Sequence, residues 1–263
     1  MDIIVLIKQV PDTTEIKLNP KTGNLEREGV KSIINPDDRH AIEAGIRLKE
    51  KYDGRVTVLS MGPPQAIDAV SEALGMGCDA GILLTDRAFA GADTWATSST
   101  LGQAIRKLGH YDLIICGRQA IDGDTAQIGP QIAELLNLSQ ATSVCEIHAV
   151  EEKTITVSKR YEEGFVKTCL SLPALLTVTD ELNESRYPRV GNLLDACSGN
   201  IPIQCWNAAD LGLQANQVGL EGSLTQVMKT FSPKSGRDGE LFSGDTKTAV
   251  AGLVEKLRSH QLV

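Results

Sequence analysis

The residues whose types and spacing could do chemistry are concentrated between Leu113 and Leu136. Leu113-Ile114-Ile115-Cys116 reads as a buried strand, the residues from Gly117 to Asp124 as a glycine-rich turn, and residues 125–137 as an amphipathic helix. The first turn of a helix has amides without intrahelical acceptors and carries the positive end of the helix dipole, so this order suits a phosphate. Gly117, Gly123 and Gly129 permit close backbone approach and positive φ. Two acids in the turn would repel a phosphate if they faced it. Asp124 is therefore read as the helix N-cap, and Asp122 as closing an Asx-type turn. The anion is left to backbone amides and to the side chains of Thr125 and Gln127. Arg118 is the nearby cation that can reach a phosphate or an electron-rich ring. A strand–turn–helix with glycines is also an ordinary piece of any α/β sheet.

A second candidate is the segment from Asp86 to Ser98. Gly91 and Asp93 or Thr94 start a helix there, and Thr94 and Thr97 stand at i and i+3 on one face. Its amides and hydroxyls can face a bound ring or pyrophosphate; the plainer reading is an N-capped helix.

The elements that must position these residues alternate. Residues 2–7 form a short, continuous, β-branched run, the pattern of a parallel strand buried on both faces. Residues 12–34 are polar, and Asn19-Pro20-Lys21-Thr22-Gly23-Asn24 suggests a hairpin excursion. A helix over 37–52, capped by Asp37 or Asn35, precedes a strand at 56–59. A helix over 64–75, a strand at 81–84, a helix over 93–108 and a strand at 112–116 follow. This alternation predicts an α/β fold, a doubly wound parallel sheet of the adenine-nucleotide-binding type. After residue 140 the pattern changes. Residues 154–160 and 165–172 have strand period and flank Glu163-Gly164, which predicts an added β-hairpin, and 174–179 is another apolar strand. Residues 185–203, with Pro188, Gly191, Gly199 and Pro202, read as a long exposed loop. Residues 216–246 have weak periodicity and much Gly, Ser, Thr and Pro, too long for a structureless run inside a compact domain. They are read as an arm that packs on another chain, ending in a helix over 246–261. The expected division is a nucleotide-binding domain over 1–215 and a C-terminal arm over 216–263.

Composition sets limits. The chain has 263 residues, of which 41% are hydrophobic, enough for a sizeable core, and a net charge of −8. That acidity argues against nucleic acid as a partner, and 4% aromatic residues leave little for base stacking. Cysteines at 78, 116, 145, 169, 197 and 205 form no C-x-x-C pair. They are expected to be reduced core thiols of a cytoplasmic protein. Histidines at 40, 110, 148 and 260 are too scattered for a metal centre. Met1 leads straight into a strand, so no signal peptide is expected, and no apolar run reaches about 18 residues, so no membrane span is expected.

Gly117-Arg118-Gln119-Ala120-Ile121-Asp122-Gly123-Asp124-Thr125-Ala126-Gln127-Ile128-Gly129-Pro130-Gln131 resembles the nucleotide loop of the β subunit of electron-transfer flavoproteins. The opening from Val5 to Thr13 is similar to that family's start. Asn35-Pro36-Asp37-Asp38, Ser60-Met61-Gly62-Pro63 and Arg186-Tyr187-Pro188 match further family positions in the same order. The resemblance spans residue 1 to about 260. It implies a heterodimer with a larger α subunit, over which the C-terminal arm wraps. It implies adenine and ribose contacts at Leu6, Asn35, Pro36, Asp37, Asp38 and Met61, with backbone at Leu6 and Met61 reading the adenine edge and Asp38 binding ribose hydroxyls.

Three stretches resemble the electron-bifurcating branch: 122–130, 86–98, and Gly222-Ser223-Leu224-Thr225-Gln226-Val227 ahead of a Phe-Ser-Pro step. In that branch the β site holds FAD that takes hydride from NADH. One electron goes to ferredoxin or flavodoxin, and the other passes through the α-subunit FAD to a partner flavin dehydrogenase. The flavin does the redox chemistry, and Arg118 would tune it. The alternatives are a non-bifurcating carrier with structural AMP in place of FAD, or a stand-alone nucleotide-binding regulatory domain. An ATP-pyrophosphatase-type enzyme would want Ser-Gly-Gly-x-Asp after the first strand, where this chain has Lys8-Gln9-Val10-Pro11-Asp12. The resemblance also makes the loop after Arg186 and Tyr187 a dehydrogenase-recognition loop, with Val190 as its apolar hook and Leu193 beside it. Many members follow the hook with lysines, but residues 191–200 here contain no cation. That departure leaves acyl-CoA and 2-hydroxyacid (lactate) dehydrogenases both open as partners.

Overall fold

The computed structural model describes residues 1–12, 17–18, 25–26, 31–201, 203–228 and 239–263. Strand β1 (Asp2–Ile7) is apolar at every position from Ile3 to Ile7, and both of its faces are buried. Ile3, Val5 and Ile7 enter one hydrophobic cluster, while Ile4 and Leu6 enter another. The two clusters are the two faces of a single sheet. Helices α1 (Pro36–Tyr52) and α2 (Ile67–Met76) supply Ile42, Ile46, Val70 and Leu74 to the first. Helices α3 (Thr94–Leu108) and α4 (Ile128–Leu136) supply Leu101, Ile105 and Ile132 to the second. The expected doubly wound α/β architecture is the observed one.

The remaining strands are β2 (Gln9–Pro11), β3 (Lys17–Leu18), β4 (Leu25–Glu26), β5 (Ser32–Ile34), β6 (Arg55–Met61), β7 (Ala80–Leu84), β8 (Leu113–Gly117), β9 (Ser139–Val150), β10 (Thr154–Tyr161), β11 (Gly164–Ser171), β12 (Ala174–Val178) and β13 (Ile203–Trp206). The nine-stranded sheet runs β11-β10-β9-β12-β8-β1-β6-β7-β13. It is parallel from β9 to β13, and β9, β10 and β11 are joined antiparallel. The chain winds outward from β1 through β6 to β7, then returns to the other side of β1 with β8. The strand order therefore reverses between β1 and β8, and in such sheets ligands bind at the carboxyl ends flanking that reversal.

The excursion expected over 12–34 is present as two antiparallel pairs, β2 with β5 and β3 with β4; the turn at Asn19–Asn24 lies outside the described residues. Two strands escaped the sequence reading. Strand β9 is long and polar, pairs parallel with β12 at its start and antiparallel with β10 further on, and carries Ser143 at φ +54°. Strand β13 is an edge strand of alternating pattern, Ile203-Gln204-Cys205-Trp206.

The loop expected over 185–203 contains a helix, α5 (Val190–Cys197). Val190, Leu193, Leu194 and Cys197 fall at i, i+3, i+4 and i+7, a helical stripe that the neighbouring Pro188 and Gly191 obscured. Packing overrode propensity there: Leu193 and Pro188 lie against Gly75 of α2, where an added Cβ would come within 3.2 Å of either. The thiols are all free, but only Cys78 and Cys116 are core residues; Cys169, Cys197 and Cys205 are exposed.

The chain forms two compact units, Met1–Gln226 and Val227–Val263. Residues 216–226 thus belong to the first unit, beyond the boundary expected at 215. In the second unit the helix α6 (Thr246–Ser259) is capped by Asp245, whose carboxylate accepts from the Thr248 amide at 3.0 Å. No helix among the described residues is long and apolar enough to cross a membrane.

Candidate nucleotide site at the strand reversal

Two buried polar side chains organise the carboxyl ends of β1 and β8. Asp38, in the first turn of α1, accepts from the amides of Lys8 at 2.8 Å and Gly117 at 3.0 Å, so one carboxylate ties the two strand ends together. Burial pushes its pKa up to about 7, against the pull of the Lys8 amide, the Asn35 side chain and the Gly117 amide. The ribose contact expected of Asp38 meets a side chain that is only 6% exposed, with both oxygens already taken by amides. Asn35 was expected to cap α1 or to touch nucleotide. It makes no side-chain cap bond. Its amide instead donates to the Gln119 carbonyl at 2.9 Å and its oxygen accepts from the Ile121 amide at 3.0 Å, which fixes the loop after β8. Gly117 is where glycine is obligatory. A Cβ there would sit 2.4 Å from a carboxylate oxygen of Asp38 and 2.7 Å from Cβ of Asp37.

The loop itself corrects three expectations. Helix α4 begins at Ile128, so Asp124 is not its N-cap; Gln127 holds that position without a side-chain cap bond. Asp124 accepts from the Gln119 side chain instead. Asp122 closes no Asx turn, because both of its oxygens accept from the Lys8 ammonium, at 2.7 and 2.8 Å. Positive φ falls on Asp124 (+53°) and Ala126 (+54°), not on Gly123, whose missing Cβ faces open space. Two non-glycine residues in the left-handed region within three positions is strain held in place by surrounding contacts. The alternation from Ala126 to Gln127 (φ −101°, ψ −25°) turns successive amides toward one side, the arrangement that forms anion-binding nests.

Ile121 to Gln127 are all exposed. Among the described residues the amides of Thr125, Ala126, Gln127 and Ile128 have no protein acceptor. Four unsatisfied donors at a helix start, over the reversal of the sheet, can take a phosphate or pyrophosphate. Arg118 lies beside them. Its guanidinium is exposed and has no hydrogen-bond or ion-pair partner among the described residues, and its charge acts on the neighbouring Asp37, drawing down a pKa that burial raises.

Helix α3 forms the other wall. Asp93 caps it through the Ala96 amide, 2.9 Å away. Thr94 donates its hydroxyl to Gln127 at 2.9 Å, so the expected second candidate adjoins the loop. Thr97 is half-buried one turn on and makes no side-chain bond among the described residues. Leu6 is core, and Met61 is half-buried against the same cluster. Sequence reasoning missed Lys8 as the partner of Asp122, although its place just past β1 puts it at the same sheet end. Ser223 and Thr225, singled out in the sequence only as part of a family stretch, bond to Asp93, a contact that the sequence does not announce.

The residues expected to recognise a dehydrogenase divide into anchors and offered surface. Arg186 bonds to Glu43 at 2.8 Å and Glu50 at 2.6 Å, which hold its guanidinium firmly charged, and Glu43 is itself buried. Leu193 packs on α2. Neither presents a free surface. Tyr187 (88% exposed), Val190 (74%) and Leu194 (61%) do, and Leu194 is the residue the sequence reading left out.

A doubly wound sheet with a strained, amide-rich loop at its reversal defines a nucleotide-fold α/β protein. The electron transfer flavoprotein domain matches residues 22–210. The chain belongs to the electron transfer flavoprotein family. It is 50% identical over 263 residues, all of both chains, to the electron transfer flavoprotein subunit beta of Thermoanaerobacterium thermosaccharolyticum. It is 48% identical over the full length of both chains to the caffeyl-CoA reductase-Etf complex subunit CarD of Acetobacterium woodii. It is 43% identical to protein FixA of Azorhizobium caulinodans, covering 89% of this chain and 85% of that one. The chain is thus a β-type subunit working in electron transfer, and that assignment implies an α-subunit partner.

Proposed function

We propose that this chain is the small subunit of a heterodimeric, cytoplasmic, electron-bifurcating electron-transfer flavoprotein, with FAD at the strand reversal between β1 and β8. The observation that carries the proposal is the run of unsatisfied amides from Thr125 to Ile128 behind the left-handed pair Asp124 and Ala126. The residues fit the group. Those amides and the hydroxyl of Thr125 would hold the pyrophosphate, Gln127 and Thr94 would line its path, and backbone at Leu6 and Met61 would meet the adenine edge. Asn35 and Asp38 act one layer below, by fixing the loop and the two strand ends. When bound, FAD supplies hydride acceptance from NADH and the division of the electron pair between ferredoxin or flavodoxin and, through the α-subunit FAD, a partner dehydrogenase. Arg118, whose guanidinium has no hydrogen-bond or ion-pair partner among the described residues, would stabilise negative charge near that flavin.

The surface of Tyr187, Val190 and Leu194 would receive the dehydrogenase. CarD of Acetobacterium woodii is named for a complex with a CoA-ester reductase, which supports an acyl-CoA-type partner. The absence of lysines over 191–200 supports a lactate-type flavin dehydrogenase, and activity of the heterodimer with each separates them. The second reading of the site is structural AMP in place of FAD. The test between them is cofactor extraction from the co-expressed heterodimer. A third reading, a stand-alone regulatory domain, would show as a chain that never associates with an α subunit on gel filtration.

A further inference from the structure

We propose that Asp93 is a positioning residue that couples occupancy of the nucleotide loop to the seating of residues 219–226, the root from which the second unit departs. The inference rests on the reading of the loop as a nucleotide site. Asp93 lies at the centre of a continuous hydrogen-bonded path. On one side its amide donates to the Ser223 hydroxyl at 2.8 Å, and that hydroxyl donates to the Gly219 carbonyl at 2.7 Å. One oxygen of its carboxylate accepts from both the amide and the hydroxyl of Thr225, each at 2.9 Å. The other oxygen caps α3 through the Ala96 amide. On the far side the next residue, Thr94, donates to Gln127 and accepts from Gln131 at 3.3 Å. Gln127 directly follows the left-handed Ala126.

The root is fitted closely to this helix start. A Cβ on Gly219 would lie 2.0 Å from the Ala88 carbonyl oxygen, and one on Gly91 would lie 3.3 Å from Cβ of Leu220. The Leu220 amide donates to the Ala90 carbonyl at 3.1 Å. Burial raises the pKa of Asp93, but the bonds from Ala96 and Thr225 outweigh it and hold the group ionised, so it remains a strong acceptor. Any ligand that fixes Ala126 and Gln127 fixes the Thr94 end of α3. That stiffens the cap to which Thr225 bonds. By reciprocity, loosening the root must weaken the ligand by the same factor.

The test is hydrogen exchange on the α–β heterodimer, with the β site emptied and then refilled with FAD, or with AMP in a parallel arm. Both the 118–128 and the 219–226 segments should slow, the second by about fivefold or more. Thr225→Val removes the hydroxyl bond to Asp93 but leaves the helix cap. At saturating FAD it should retain protection of 118–128, lose the nucleotide-dependent slowing of 219–226, and bind FAD about fivefold more weakly. Protection of 118–128 without any change at 219–226 in the unaltered protein would overturn the coupling and leave the nucleotide site standing. No protection of 118–128 by either nucleotide would remove the site and the coupling together. Faster exchange of 219–226 in Thr225→Val, equal with and without nucleotide and with unchanged affinity, would reduce Asp93 to an ordinary structural contact.

Discussion

The loop over 118–127 and the helix α5 at 190–197 are both exposed, yet they are held in opposite ways. The loop is strained and polar, and it is fixed from beneath by buried polar groups: Asn35 on its carbonyl and amide, Asp38 on the strand ends that launch it. Its useful groups are main-chain donors, so the backbone must be exact in position while the side chains are secondary. Helix α5 is unstrained. It is anchored at one end by Arg186 on Glu43 and along its inner side by Leu193 on α2, and what it offers are side chains, Val190 and Leu194 with Tyr187. A small ligand with fixed geometry needs the first kind of support; a protein surface, which tolerates side-chain adjustment, needs only the second.

The contrast predicts that buried polar changes damage the loop through the fold, whereas exposed changes on either region act on binding alone. The largest effect expected is the pH dependence of Asp38. Its folded pKa, raised to about 7, means that the folded chain holds this proton while the unfolded chain has lost it. The stability it contributes is therefore fully present below the unfolded value and is lost as pH rises from about 4 through about 7. On the order of 4 kcal/mol changes over that window. Glu43, Glu50, Asp86 and Asp93 have lowered pKa values and pull the other way. The difference between unaltered protein and Asp38→Asn, followed by urea unfolding from pH 4.5 to 7.5, isolates the Asp38 contribution; parallel curves would refute it.

Next is Gly117→Ala, where the added carbon meets Asp38 and Asp37; a loss of about 3 kcal/mol is expected from the urea midpoint. Arg186→Ala leaves the buried Glu43 with Arg47 as its one charged partner among the described residues, beside the amide of residue 186, and should destabilise by about 2 kcal/mol. If Arg186 were instead a free recognition residue, melting would not change. Val190→Asp should leave stability within about 0.5 kcal/mol, yet uncouple NADH-dependent dehydrogenase reduction while an artificial acceptor is still reduced. Gly123→Val should be as mild for the fold, since its Cβ direction is open, and should deplete β-site nucleotide because the side chain intrudes on the amide nest. Full retention of that nucleotide would move the site away from this loop.

The sheet was legible because its central strands are uninterrupted apolar runs, Ile3–Ile7 and Leu113–Cys116, which have one reading when strands alternate with helices. The position of the loop was legible for the same reason. Its internal geometry was not. The sequence points to glycine as the carrier of positive φ, but Asp124 and Ala126 carry it, because contacts from Lys8 and Asn35, both distant in sequence, and from Gln119 within the loop over-determine the turn. Helix α5 was hidden by Pro188 and Gly191, since what makes it a helix is contact with Gly75 on α2. The task of Arg186 was obscured likewise: nothing local distinguishes an arginine aimed at a partner from one aimed at a buried glutamate 143 residues away.

The central claim, that the amide-rich loop at the strand reversal holds a flavin nucleotide, is tested most directly by counting nucleotides released from the purified α–β heterodimer. Two FAD and no AMP per heterodimer is the result predicted. One FAD with one AMP would contradict it, leaving a family member that carries electrons without dividing them.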